Sequence, residues 1–413
     1  MIYIFIQASQ IALAPPGTQA CTLDIAKFHR TCPVLPSHKP WLVVQGMPGL
    51  FFINHAHPFG AACASSNAGM IANAVVDIWE GEGVFPVPKY KDDLKVFRVP
   101  TAMGTFIEGS FRYDYDRAEM LRRIESLGVP WHEEKGDNHF TFVTTFIGFQ
   151  WDIPQKLVSL PEGKRLKFHE RVRRFLNDFS ENNHPCQLID VEKLHGSLCH
   201  VAFVYTNGRS HLPSLSNFAA SFHSKDRNFI TRYPPRAMIK DLEWWLEELS
   251  SPCLARQLRP RGPLQDLSLF IDASTTWGIG IVMGESWAAF RLSPSWKIPG
   301  QDICWLETVA VELLIYFLEQ NRLCDCRLLI HSDNQGTIGA MSKGRSSNTH
   351  INLAVRRTYV ALMHSFITPD FTYIESEANP ADPISRGEPG PVEKHVFPSF
   401  KLPDELIDCF VDV

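Results

Sequence analysis

Four acidic residues in the last third of the chain stand where secondary-structure elements should start or stop. Asp272 closes the apolar run Leu269-Phe-Ile-Asp272, and Glu307 opens a long apolar helix. Asp333 ends Ile330-His-Ser-Asp333, and Asp382 lies in Asn379-Pro-Ala-Asp-Pro-Ile-Ser-Arg386. A carboxylate at the end of a buried apolar strand is costly unless a cation or a hydrogen-bond donor meets it. Four such groups converging from separate elements would repel one another and raise each other's pKa. Divalent cations remove that repulsion, and a pair about 4 Å apart can activate a water and stabilise the leaving oxygen of a phosphodiester. Mg²⁺ prefers such hard oxygen ligands and keeps some waters for a substrate. Taken singly, each acid reads more simply as a turn former or a helix cap. Only the set points to chemistry.

A second acidic group lies near the start. Tyr90-Lys91-Asp92-Asp93 places two adjacent acids at a tight turn, and Asp24 follows the short apolar run ending at Leu23. Like charges crowd at such a turn, yet an Asp-Asp turn alone is usually just solvated.

The elements that must hold these residues follow from periodicity. The first part, to about Trp151, contains a run over Thr22–Phe28, strands at Leu42–Val44 and Leu50–Ile53, and a Gly/Ser/Asn-rich turn at Pro58–Asn67. A helix over Ala68–Trp79 follows. Val84–Tyr90 and Leu94–Phe97 flank the acidic turn as a β-hairpin. The second part opens with a helix near Lys164–Phe179, whose Val172, Phe175, Leu176 and Phe179 form one apolar stripe. Lys164, Arg165, Lys167, Arg171 and Arg174 lie largely off that stripe. Asp241–Leu249 reads as a short helix and Ser250–Gly262 as a linker. The third part runs Leu267–Asp272, Gly278–Met283, the helix Leu306–Leu318, Arg327–His331, a helix at Ile351–Met363 and Phe371–Glu375. That β-β-α-β-α-β order is an α/β domain.

The formal charge of −5 over 413 residues argues at first against a nucleic-acid partner, but the distribution matters more. Residues 155–262 carry 17 Lys and Arg against 11 Asp and Glu, or +6, which leaves 23 against 34, or −11, for the rest. A basic middle between two acidic parts fits a nucleic-acid track, with Lys164, Arg165 and Arg171 as phosphate contacts. The 45% hydrophobic and 21% charged fractions are those of a globular chain. None of the ten cysteines has zinc-finger spacing, so buried thiols in a reducing compartment are expected. The uncharged Met1–Pro16 lacks the basic start of a signal peptide, and no stretch reaches the roughly 18 apolar residues of a membrane span. An intracellular protein, cytoplasmic or nuclear, follows.

The stretches "LFIDAST..GIGIV", "WLETVAVEL", "IHSDNQGTIGAMSKGRSSNTH" and "YIESEANPADPISRG" resemble the ribonuclease H domain of retroelements over about Leu264–Gly387. The resemblance implies that Asp272, Glu307, Asp333 and Asp382 are catalytic, metal-binding acids. Glu312 is nearby, but Glu307 begins the E-x-x-A pattern of that family. Upstream, "CTLDIAKFHR", "HPFGAACASSNAGM", the Tyr90–Asp93 turn, "LGVPWHEEKG" and "FIGFQWD" come in the order of motifs A to E of a reverse-transcriptase palm. The likeness covers about Ala20–Trp151 and is greatest to gypsy-like and tyrosine-recombinase-type retrotransposons. It implies that Asp24, Asp92 and Asp93 hold two Mg²⁺ (or Mn²⁺) for nucleotidyl transfer, that Phe28 gates the sugar, and that Lys135 lies near the leaving group. Core packing is the alternative for Phe28, and a solvated turn for Lys135. Such polymerases carry a basic fingers subdomain before motif A, whereas none of the first 26 residues here is Lys or Arg.

The expected fold is therefore multidomain, mixing α+β and α/β. It comprises a palm lacking most of its fingers (1–152), a basic helical thumb or connector (153–263), a ribonuclease H-like mixed sheet with helices (264–390) and a tail (391–413). The expected activity is on RNA–DNA hybrids by two-metal carboxylate chemistry at each site, with primer–template polymerisation lost. The alternatives are a catalytically dead relic that at most binds nucleic acid, and a host protein that reuses the ribonuclease H fold.

Overall fold

The computed structural model describes residues 2–222, 229–252 and 255–411. Helices and sheets are mixed throughout, and the chain divides into two compact units. The first runs to Lys164 and takes in the short segment ending at Pro260. The second holds Arg165 onward and the chain after Arg261.

In the first unit, α1 (Ile2–Leu13) precedes β1 (Gln19–Asp24). The hairpin β2 (Val43–Met47) and β3 (Leu50–Ile53) leads to α2 (Ala64–Gly81), followed by β4 (Lys89–Tyr90) and β5 (Asp93–Arg98). β5 lies between β1 and β4. Ala68, Ala72, Val75 and Trp79 on α2 pack with Leu94 and Val96 of β5. A small hairpin, β6 (Phe106–Glu108) and β7 (Phe111–Tyr113), and the short α3 (Arg117–Arg122) follow. A second sheet contains β8 (Val143–Phe146), β9 (Phe149–Asp152) and β10 (Leu157–Ser159). Its fourth strand is Ala255–Gln257, β13 in chain order, beside β10. The expected linker Ser250–Gly262 thus contributes a strand, because Leu157–Ser159 finds its pairing partner about a hundred residues later. Residues 253 and 254 of that linker lie outside the described residues.

The glutamine at position 7 has a structural reason. Lys95 is fully buried beside the rings of Phe97, Phe146 and Trp151. The Gln7 amide oxygen accepts from Lys95 Nζ at 2.8 Å and from Trp151 Nε1 at 3.2 Å. Burial holds the Lys95 ammonium well below the usual lysine range.

The unit boundary falls within α4 (Glu162–Leu176). Val172, Phe175 and Leu176 are buried as the stripe requires, while Phe179 lies in the π-helical segment Asn177–Glu181 that continues the helix. The short strands β11 (Cys186–Gln187) and β12 (Thr231–Arg232) pair around α5 (Leu188–Val201) and α6 (Pro213–Ala220), and α7 (Arg236–Ser250) follows. The region expected as one connector, 153–263, is therefore divided: its strands β10 and β13 belong to the first unit and its helices to the second.

The second unit's sheet is built on β14 (Leu264–Ala273), β15 (Gly278–Met283) and β16 (Ser286–Leu292), an antiparallel meander. Helix α8 (Ile303–Gln320) crosses to β17 (Arg327–Ser332), parallel to β14. α9 (Gln335–Lys343) and α10 (Thr349–Ser365) then cross to β18 (Thr368–Tyr373), parallel to β17. Trp305 to Ile315 are buried without a break, so α8 is enclosed on all sides, as its uniformly apolar sequence demands. After α11 (Asp382–Ser385) and α12 (Asp404–Ile407), β19 (Phe410–Val411) pairs with β16 at the sheet edge. Leu402, Leu406, Cys409 and Phe410 join the core, so residues from 391 on are packed structure and not a separate tail. Residues 412 and 413 lie outside the described residues. Among the described residues no helix is long and apolar enough to cross a membrane.

Candidate functional site

Local rules place three carboxylates at one end of the second unit's sheet. Asp272 is the penultimate residue of β14, where the buried run meets the turn. Asp302 caps α8 by accepting from Trp305 N–H at 3.0 Å, which sets Glu307 in the second turn. Asn334 caps α9 by accepting from Thr337 N–H at 3.0 Å, so Asp333 is pinned between the end of β17 and a helix start. As a result Asp272, Glu307 and Asp333 each offer a carboxylate oxygen, all within 4.8 Å of one another.

These acids are held by neighbours that sequence reasoning does not single out. Ala273 N–H donates to Glu307 Oε1 at 2.9 Å, while Glu307 Oε2 is buried without a partner among the described residues. The Ser385 hydroxyl donates to Asp272 Oδ2, and the Ser376 hydroxyl to Asp333 Oδ2. Asn379 Nδ2 donates to the Ile271 carbonyl at 2.9 Å and ties the loop before α11 to β14. Gly280 stands opposite Asp272 in the β14–β15 register, and a Cβ there would lie 2.5 Å from the Ala381 carbonyl. Only glycine lets this loop rest on the sheet. Asp382 begins α11 and pairs with Arg386 at 2.8 Å; it lies outside the group of three, though its charge acts on Asp272.

Burial pushes the Asp272 carboxyl up to about 7, and the charges of Asp333 and Asp382 add to the rise against the opposing Ser385 hydrogen bond. Burial first, then Asp272 and Asp333, lift Glu307 well above the usual carboxylate range. Glu312 serves elsewhere. Arg357 Nε and Nη2 donate to its carboxylate at 2.6 and 2.8 Å, forming a buried ion pair between α8 and α10.

In the first unit, Asp24 and Asp93 face each other across the β1–β5 ladder, and the Asp92 carbonyl accepts from Ile25 N–H at 3.0 Å. Lys91 takes a left-handed conformation, φ +58°, in the two-residue turn before Asp93. Burial, then Asp92 and Asp24, push Asp93 up to about 6. Lys135 Nζ lies 3.4 Å from Asp24 Oδ2, with its side chain 59% exposed. Phe28 is only 4% exposed and packs in the apolar cluster. That is the packing role set beside its expected role as a gate.

The three cations of α4 expected to contact phosphate are engaged within the protein to different degrees. Arg165 is 8% exposed and donates to the Leu249 carbonyl. Arg171 donates to the Ser197 hydroxyl, and Lys164 Nζ to the Gly148 carbonyl at 3.2 Å. All three bond to the protein itself. The exposed cations of this helix are Lys167, Arg173 and Arg174, the last two paired with Glu170.

No family model matches the chain, and no curated protein matches it. Among solved structures it is similar to the foamy viral protease-reverse transcriptase dRH in complex with double-stranded DNA, with 11% identity, TM-score 0.43, and coverage of 88% of this chain and 58% of that one. It is similar also to the foamy viral protease-reverse transcriptase in complex with RNA/DNA hybrid, with 13% identity, TM-score 0.42, and coverage of 96% and 48%. A third similar structure is the same kind of enzyme with double-stranded DNA, at 12% identity, TM-score 0.41, and coverage of 89% and 70%. The chain thus spans about half the length of the first two, 58% and 48%.

Proposed function

We propose that this chain is a retroelement-derived reverse transcriptase/ribonuclease H fragment whose Asp272, Glu307 and Asp333, with Asp382 beside them, cleave the RNA strand of an RNA–DNA hybrid. The observation that carries the reading is the cluster of three carboxylates within 4.8 Å, two of them buried, with Glu307 Oε2 left without a partner. Such an arrangement is electrostatically unfavourable alone and is relieved by divalent cations, for which hard oxygen ligands are the right donor set. A bound Mg²⁺ or Mn²⁺ would supply charge neutralisation and an acidified water. The chain's own groups fix the ligands. Ala273 N–H orients Glu307, and Ser385 and Ser376 hold Asp272 and Asp333 by one oxygen each. Arg386 pairs with Asp382 at 2.8 Å.

Asp24, Asp92 and Asp93 are the groups suited to nucleotidyl transfer. Lys135 Nζ lies 3.4 Å from Asp24 Oδ2. The purified chain is expected to cleave hybrid RNA with Mg²⁺ or Mn²⁺. Asp333→Asn should abolish cleavage while hybrid binding persists. Cleavage that survives this substitution would refute the reading.

A further inference from the structure

A cavity of about 880 Å³ lies within the second unit, and none of that unit's acidic cluster, Asp272, Glu307 and Asp333, lines it. Its walls come from α6, α7, the segment Thr231–Tyr233 and the start of α10. Arg232 and Lys240 line it, and among the described residues neither has an ion-pair partner. Asp241 is the one carboxylate in the wall, and it is already committed. His211 Nδ1 lies 2.9 Å from it, the Ser214 hydroxyl donates at 2.5 Å, and Arg356 donates at 3.0 Å. The lining is therefore net cationic. Arg356 lines the same cavity and keeps a buried Nε–H without an acceptor among the described residues.

The remaining wall is apolar. Phe218 and Pro213 are buried in it, and Tyr233 stands 60% exposed beside Arg232. A volume of this size falls in the range of sites for organic ligands and exceeds what an inorganic anion fills. An apolar ligand would cover two exposed cations without offering them a partner. The lining suits a molecule with an anionic end and a flat ring, for which an exposed tyrosine beside cations is a stacking platform.

We propose that this cavity binds a phosphorylated nucleoside, with its phosphate against Arg232 and Lys240 and its ring against Tyr233. The same chemistry is offered by a free nucleotide and by one unit of a single strand. Titration of the full chain in EDTA, which removes divalent ions from both acidic groups, tests it with AMP, inorganic phosphate and a short single-stranded oligonucleotide as probes. AMP or the strand should saturate, and Arg232→Glu with Lys240→Glu should weaken binding at least about tenfold while cooperative thermal unfolding is retained. Tyr233→Ala should weaken AMP but not phosphate. AMP binding as tight as the strand would identify a free nucleotide. A much tighter strand that AMP displaces would identify a strand unit. Absence of binding by both probes, binding that survives the charge reversal, or phosphate binding as tight as AMP would overturn the proposal. Hybrid cleavage is read separately, with Mg²⁺ present, so neither result decides the other.

Discussion

Asp272→Asn should stabilise the metal-free protein at pH 8. The side chain keeps its shape, and the Ser385 hydroxyl can still donate to the Asn oxygen, so the change removes charge and little else. The native Asp272 carboxyl is pushed up to about 7 from a usual value of 3.8, a gap of about three pH units. At 1.36 kcal/mol per unit the ceiling is roughly 4 kcal/mol. An effective interior dielectric near 20, and a neighbouring Glu307 that stays strained, reduce this to about 2 kcal/mol. That corresponds to roughly 4–8 °C in a unit of this size. The sign follows from linkage. Because the folded-state value is raised, the unfolded chain releases this proton first, so native stability falls as pH rises from about 4 to about 7 and is flat beyond. The variant's advantage should therefore be about a quarter of its full size at pH 4.5 and complete at pH 8. Scanning calorimetry in EDTA at the two pH values measures it, and millimolar Mg²⁺ should stabilise the native protein more than the variant. A lower midpoint for the variant at pH 8, or the same difference at both pH values, would refute the electrostatic account of the cluster.

Arg165→Ala should destabilise the fold by roughly 1–3 kcal/mol, because the Leu249 carbonyl loses its donor, and should leave the salt dependence of hybrid binding unchanged. Lys167→Ala with Arg173→Ala should instead flatten the log–log salt slope by roughly 0.9 for each phosphate no longer neutralised, with little change in denaturant midpoint. Arg357→Ala should cost roughly 3–5 kcal/mol in urea unfolding, because it strands the fully buried Glu312 carboxylate. The double change Glu312→Met, Arg357→Met should cost much less, and equal losses would argue against an isolated buried pair.

What could be read from the sequence was what local rules determine. Asp272 and Asp333 lie at strand ends because apolar runs stop there, and Asn334 caps the next helix in the same few residues. Glu307 reads as the opening of its helix, but the Asp302 cap starts that helix at Ile303 and leaves Glu307 in the second turn. What could not be read was set by partners distant in the chain. The strand Ala255–Gln257 is invisible without Leu157–Ser159, and β19 without β16. Arg165 reads as polar surface because periodicity counts its charge, but its guanidinium is satisfied by a carbonyl 84 residues away. The same division explains Ser376, Asn379 and Ser385. A serine or asparagine in a loop signals a turn wherever it occurs, and nothing local says that its donor reaches a carboxylate or a strand. Gly280 stands between the two cases. A glycine inside an otherwise apolar strand is unfavourable for packing and conformational entropy, so its presence signals that another backbone approaches there. The signal is local, but it does not say which backbone. The Ala381 carbonyl and the Ser385 amide are the groups that come close, 2.5 and 2.6 Å from where a Cβ would stand. The acids are thus legible as ends of elements, whereas their fixed orientation depends on a loop that one missing side chain admits to the sheet.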